Sequence, residues 1–206
     1  MRIVARDLGM RFGSRWLFQD LDFAWEPPSF VSVTGPSGSG KTTLLGIISG
    51  SIQASAGDCI AETDESGAPS SAGWIVQNSP LLVSRTALDN VALGPLFQGV
   101  PQPEALARAE REMARLGIEH LVNVRAKKLS GGERQRVTVA RALASQARMI
   151  LADEPTSSLD AEAKMRVATA LRAAAGDGAL VIMATHDKDV AAFADTVFDI
   201  GQRTTR

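Results

Sequence analysis

Gly35-Pro36-Ser37-Gly38-Ser39-Gly40-Lys41-Thr42 is the stretch whose reading decides the fold of this chain. Its spacing is G-x-x-x-x-G-K-T. The compact apolar run Phe30-Val31-Ser32-Val33-Thr34 precedes it, and a helix-forming run, Lys41–Ser49, follows, with Gly50 placed to end the helix. In a strand–turn–helix of this kind, backbone N–H groups and the helix start face a phosphate. Gly38 and Gly40 let the backbone turn, Lys41 suits β- and γ-phosphates, and the Thr42 hydroxyl suits Mg²⁺.

Outward from this loop the chain alternates. Before it, Leu21, Phe23 and Trp25 alternate with Asp22 and Ala24, a half-buried strand in a β-rich start that Glu26-Pro27-Pro28-Ser29 breaks. After it, Asp64–Gly73 reads as a surface loop and Gly73–Gln77 as a strand. Thr86–Leu93 and Glu104–Leu116 read as helices, the second closed by Gly117, and a long helix runs from Ser130 to about Gln146. Met149–Ala152, Ala161–Ala175, Leu180–Ala184, Lys188–Ala194 and Val197–Ile200 then read as strand, helix, strand, helix, strand. Such alternation predicts a parallel sheet covered on both faces.

Composition sets the outer bounds. With 206 residues, 45% hydrophobic and 22% charged, the chain suits one globular unit with a substantial core. A net charge of -1 gives no reason to expect nucleic acid as a partner. The single cysteine, Cys59, excludes an intrachain disulfide and fits a reducing compartment, and its simplest reading is a small packed residue. Met1–Asp7 lacks a signal-type apolar core, and no run approaches the ~20 apolar residues of a membrane span. A role at a membrane would therefore need another chain.

Two further motifs carry chemistry. Asp153 and Glu154 follow the apolar run Met149–Ala152, and ligands of parallel sheets collect beyond the carboxyl ends of strands. There Asp153 can hold Mg²⁺ and Glu154 can orient an attacking water. Leu129-Ser130-Gly131-Gly132-Glu133 fits a capping box, with the Ser130 side chain starting a helix and Glu133 reaching back to the Ser130 N–H. That pair makes sense within one chain. Two glycines in the first helical turn cost roughly 1 kcal/mol each relative to Ala, which favours a functional reason for Gly131 and Gly132: the approach of a phosphate.

In this order the three motifs resemble the nucleotide-binding subunit of an ATP-binding cassette (ABC) transporter, over about Arg2 to Gly201. The resemblance implies an α/β P-loop NTPase fold: a RecA-like parallel sheet, an N-terminal antiparallel β subdomain and a helical arm. It divides the single domain 1–206 into a core of about 1–78 and 145–206 and a helical subdomain of about 79–144. It implies that Gly35, Pro36, Ser37, Gly38, Ser39, Gly40, Lys41, Thr42 and Thr43 bind ATP, while Phe12, in Arg11-Phe12-Gly13, stacks on adenine unless it packs in the core. Thr42, Asp153 and Gln77 would hold Mg²⁺. Glu154, His186 and Gln77 would be catalytic, and Ser130, Gly131, Gly132 and Glu133 would act on ATP held by a second subunit. Ser158 and Asp160 match the segment that crosses that dimer interface.

Thr86–Leu93, Gly99-Val100-Pro101 and Leu151–Thr156 look like the lipoprotein-release, macrolide-export and cell-division group, though Ser157-Ser158 is closer to importer subunits. The expected protein is an ATPase on the cytoplasmic face of the membrane, forming a homodimer or heterodimer and driving a separate permease. The competing reading is a non-transport ATPase of the cell-division type that regulates a membrane complex. A soluble member of translation or DNA repair would be expected to carry two cassettes or a long coiled coil. A simple P-loop kinase leaves Leu129–Glu133 and the Asp153-Glu154 pair unexplained.

Overall fold

The computed structural model describes residues 2–62, 72–76 and 80–201. Gln77 lies outside them, as does the loop expected at Asp64–Gly73 apart from its last two residues. The strand expected from Gly73 begins one residue earlier, at Ala72.

The chain begins with β1 (Arg2–Phe12) and β2 (Arg15–Trp25), an antiparallel hairpin in which Phe12 pairs with Arg15 across the turn. β4 (Ala56–Glu62) adds antiparallel to the other edge of β1, giving a three-stranded sheet in the order β2-β1-β4. On β2, Leu21 and Trp25 are buried while Asp22 and Ala24 face solvent, the alternation expected of a half-buried strand. Phe23 stacks on Trp25 with ring centroids 3.9 Å apart, and both meet Phe198 edge-on at 5.4 and 5.3 Å. Phe198 lies on β8 (Thr196–Asp199), so these three rings join the small sheet to the large one.

The large sheet has five parallel strands in the order β5-β6-β7-β3-β8, with β3 at Ser29–Thr34, β5 at Ala72–Ile75, β6 at Met149–Asp153 and β7 at Leu180–Ala184. Every residue of β6 and β7 is buried, as befits inner strands covered on both faces. Alternate side chains enter two cores. Met149, Leu151, Leu180 and Ile182 join α1 (Lys41–Ile48) and the small sheet, whereas Ile150, Ala152, Val181 and Met183 join the long helices.

Those helices are α2 (Ala87–Phe97), α3 (Gln102–Arg115), α4 (Gly131–Ala144) and α5 (Ala161–Gly176). α2 packs against both α3 and α4. At its crossing with α4 the backbones nearly touch: a Cβ on Gly94 would lie 2.3 Å from the Arg141 carbonyl oxygen. α2 continues past the expected end at Leu93, through Pro95, to Phe97. By contrast α6 (Lys188–Ala191) stops short of Ala194, because Phe193 and Ala194 close on Val190 and Ala191 with three-residue turns. No helix among the described residues is long and apolar enough to cross a membrane.

Candidate nucleotide site

Because all five strands run in parallel, their carboxyl ends bring distant loops to one edge. Val33 and Asp153 both pair with Ala184 across the sheet. The segments that follow are then tied together. Glu154 N–H donates to the Ala184 carbonyl at 2.9 Å, and Thr185 N–H donates to the Val33 carbonyl at 3.1 Å. The result is a cleft of about 580 Å³ lined by Leu17, the loop residues Gly35–Gly38 and Gly40–Thr43, Asp153, Glu154, Ser157 and His186.

The loop reaches its helix through a left-handed residue: Gly40 has φ 96°, and a Cβ there would strike the Phe18 ring at 2.9 Å. Glycine is therefore required at 40 by conformation and by space. Lys41 is almost buried, and its ammonium donates to the carbonyls of Gly35 (2.9 Å) and Pro36 (3.1 Å). Those bonds hold the cation against the start of the loop.

At the floor of the cleft, Thr42 Oγ1 donates to Asp153 Oδ2 at 2.8 Å. The other oxygen, Asp153 Oδ1, is buried and has no hydrogen-bond partner among the described residues. Burial pushes the Asp153 carboxyl above its usual range, and the Glu154 charge adds to this, while the Thr42 hydrogen bond and the Lys41 charge oppose it. A buried carboxylate with one free oxygen beside a hydroxyl is a donor set for a hard cation. Mg²⁺ commonly takes one or two protein oxygens and completes its shell with water and phosphate. The residues present fit it, and no larger group of three His, Cys, Asp or Glu residues occurs among the described residues.

Glu154 turns out of β6 with φ 48°, uncommon for a residue with a side chain. Its Oε1 lies 2.9 Å from His186 Nδ1, and Ser157 Oγ donates to its carbonyl at 3.2 Å. The His186 ring is largely exposed, so the pair stands at the open side of the cleft.

Several expected residues lie elsewhere. Phe12 is 60% exposed at the end of β1, which removes the core-packing reading, and it does not line the cleft. Ser130, Gly131, Gly132, Glu133, Ser158 and Asp160 do not line it either. Ser130 instead caps α4 in a full capping box: Ser130 N–H donates to Glu133 Oε2 at 2.7 Å and Glu133 N–H donates to Ser130 Oγ at 3.3 Å. The Ser130 backbone N–H, then its hydroxyl, hold the Glu133 carboxyl below the usual range. Asp160 caps α5 by accepting from Ala163 N–H at 2.8 Å.

The two signature glycines differ. A Cβ on Gly131 would meet nothing within 4 Å, whereas one on Gly132 would press on the Ser158 carbonyl at 3.3 Å and Leu159 at 3.4 Å. Gly132 thus has a packing reason inside its own chain, contrary to the expectation that both glycines await a phosphate.

Leu17 and Ser157 line the cleft without having been foreseen. Leu17 comes from β2, and its approach to Gly40 is a long-range contact that no local motif encodes. Burial pushes the Cys59 thiol up to about 11, so it is protonated at neutral pH and unreactive, in line with its reading as a packed residue.

Comparisons with known proteins show the family. A family profile described as ABC transporter matches residues 18–157. The macrolide export ATP-binding/permease protein MacB of Mannheimia succiniciproducens is 39% identical over 185 residues, covering 85% of this chain and 29% of that protein. The pyoverdine export ATP-binding/permease protein PvdT of Pseudomonas aeruginosa is 35% identical over 214 residues, covering 96% of this chain and 32% of its own length. The chain thus spans under a third of these export proteins. It spans 84% of YvrO of Bacillus subtilis, an uncharacterized ABC transporter ATP-binding protein 37% identical over 88% of this chain. Among solved structures, the ATP-binding cassette MJ0796, a dimer in a post-hydrolysis state bound to ADP and Pi, superposes with a TM-score of 0.85. It is 28% identical and covers 99% of this chain and 96% of its own. With its phosphate loop, its paired carboxylates and its capped Ser-Gly-Gly turn, this chain belongs to the ABC transporter family and has the fold of an ATP-binding cassette.

Proposed function

We propose that this chain is an ATP-hydrolysing subunit of an ABC transporter. In this reading two copies, or this chain and a related one, close around two ATP molecules with Mg²⁺ and drive an integral membrane permease carried by another chain. The subunit would sit on the cytoplasmic face of the membrane through that permease. The observation that carries the reading is the division of the motifs. Lys41, the Thr42–Asp153 pair and the Glu154–His186 pair share one cleft, while the Ser130–Gly132 turn lies outside it. The export functions in the names of MacB and PvdT, and the dimeric form of MJ0796, support it.

Each residue then has a task. The loop N–H groups and the start of α1 cradle the phosphates. Lys41 exchanges the carbonyls of Gly35 and Pro36 for β- and γ-phosphate oxygens. Thr42 and Asp153, with Gln77, would hold Mg²⁺, which would supply charge neutralisation at the phosphates. Glu154 orients and polarises the attacking water, with His186 fixing its carboxylate and reaching the γ-phosphate. Phe12 offers an exposed ring to adenine. Ser130, Gly131 and Gly132 close over the partner's ATP, Glu133 holding their turn in shape, while Ser158 and Asp160 face the same interface. Glu154→Gln tests this directly. ATP binding should persist while turnover falls about 10²–10⁴-fold, the usual weight of a general base. Wild-type turnover in that variant removes Glu154 from its role.

A further inference from the structure

The segment that carries His186 is anchored on both sides. On one side is Thr185, fully buried, with its N–H on the Val33 carbonyl at 3.1 Å. On the other is Asp187, whose N–H donates to Thr185 Oγ1 at 3.1 Å and whose Oδ1 caps α6 by accepting from Asp189 and Val190 N–H at 3.1 and 3.3 Å. α6 is only four residues long, too short to be rigid alone. The remaining oxygen, Asp187 Oδ2, accepts from Lys164 Nζ at 2.7 Å. Lys164 lies in the first turn of α5, its N–H on the Asp160 carbonyl at 2.9 Å. α5 is sixteen residues long and packs on the sheet, so it is the firm body to which the His186 segment is tied.

The segments after β6 and β7 are therefore joined twice, by Glu154 with His186 at 2.9 Å and by Asp187 with Lys164 at 2.7 Å. The first tie involves groups assigned to the reaction. The second touches none of them and is made by a residue outside every motif of the sequence. Lys164 and Asp187 retain 32% and 19% side-chain exposure, and a pair so placed adds little to global stability. Its consequence is geometric, because a reacting centre is sensitive to misplacement of about 1 Å.

We propose that Lys164 is a positioning residue for His186, holding the residue after the histidine on the first turn of α5 so that the imidazole stays within reach of Glu154 and the γ-phosphate. This rests on the reading of His186 as a group acting in ATP hydrolysis. The experiment compares wild type, Lys164→Met, Lys164→Arg and His186→Ala in the full 206-residue chain, by steady-state ATPase assay, thermal unfolding and imidazole NMR. The chain has two histidines, so a His120→Gln variant assigns the His186 signals. Lys164→Met, which keeps the apolar stem, should lower kcat roughly threefold to tenfold with KM for ATP and Tm little changed. It should also shift or broaden the His186 signals, and Lys164→Arg should restore both. An unchanged kcat in Lys164→Met, or a lowered kcat with unmoved His186 signals, overturns the inference while leaving the ATPase reading intact. If His186→Ala itself turns over at the wild-type rate, the reading of His186 fails and the inference falls with it.

Discussion

The loop at Gly35–Thr42 and the turn at Ser130–Glu133 both start a helix, and both place glycines there, but they are finished in opposite ways. The first is electrostatically incomplete: Lys41 rests on backbone carbonyls, and Asp153 keeps a buried oxygen without a partner among the described residues. The second is complete as a helix cap, with Ser130 and Glu133 satisfying each other's N–H groups, and it leaves open space over Gly131. On the reading proposed above, a phosphate on the loop and a cation at Asp153 would complete the first region. The other is satisfied within its own chain, and Gly131 alone of its two glycines has no packing reason there.

Between these two regions, the largest expected effect on binding is at Lys41. Lys41→Ala should weaken ATP binding on the order of 10- to 100-fold, the worth of one or two charge-assisted hydrogen bonds, measured by titration calorimetry. Equal affinity would show that the loop alone satisfies the phosphates. Asp153→Asn comes next. Because burial raises the folded-state value, the folded chain binds more protons than the unfolded chain between the ordinary carboxylate range and that raised value, so stability falls as pH rises through this window. The substitution removes that loss. Without nucleotide, the variant should melt higher than wild type at pH 7, and the gap should close as pH falls into the ordinary carboxylate range. A lower melting temperature at neutral pH would mean the carboxylate is already well satisfied by protein.

The smallest effect separates the two glycines. Gly131→Ala should stabilise the chain by roughly 0.5–1 kcal/mol in urea unfolding, since it gains helix propensity in open space. Gly132→Ala should gain less, because its methyl group would press on the Ser158 carbonyl. Equal gains would erase the distinction between them.

What the sequence made legible follows from how local each signal is. The phosphate loop, the Ser130–Glu133 box and the buried strands β6 and β7 are written in spacing and hydrophobic runs, and each appears where expected. β4 escaped because it is an edge strand with nearly every residue exposed or half-exposed, held by backbone pairing to β1. No alternation remained to read. The extension of α2 through Pro95 escaped because it depends on Gly94 admitting the backbone of α4, a tertiary contact. Leu17 in the cleft and Lys164 against Asp187 escaped for the same reason: their partners lie 23 residues away, in each case across the fold. Motifs announce the chemistry; the supports that hold it come from packing.

The central claim is that the turn at Ser130–Gly132 completes a site on another subunit. Light scattering on Glu154→Gln with ATP and Mg²⁺ tests it most directly when paired with the double variant Glu154→Gln/Gly131→Trp. The bulk is placed at Gly131, where an added Cβ meets nothing within 4 Å in the chain's own fold. The account predicts an ATP-dependent dimer for the single variant and an ATP-binding monomer for the double variant. A dimer that survives the tryptophan, or a single variant that binds ATP and stays monomeric, would contradict it.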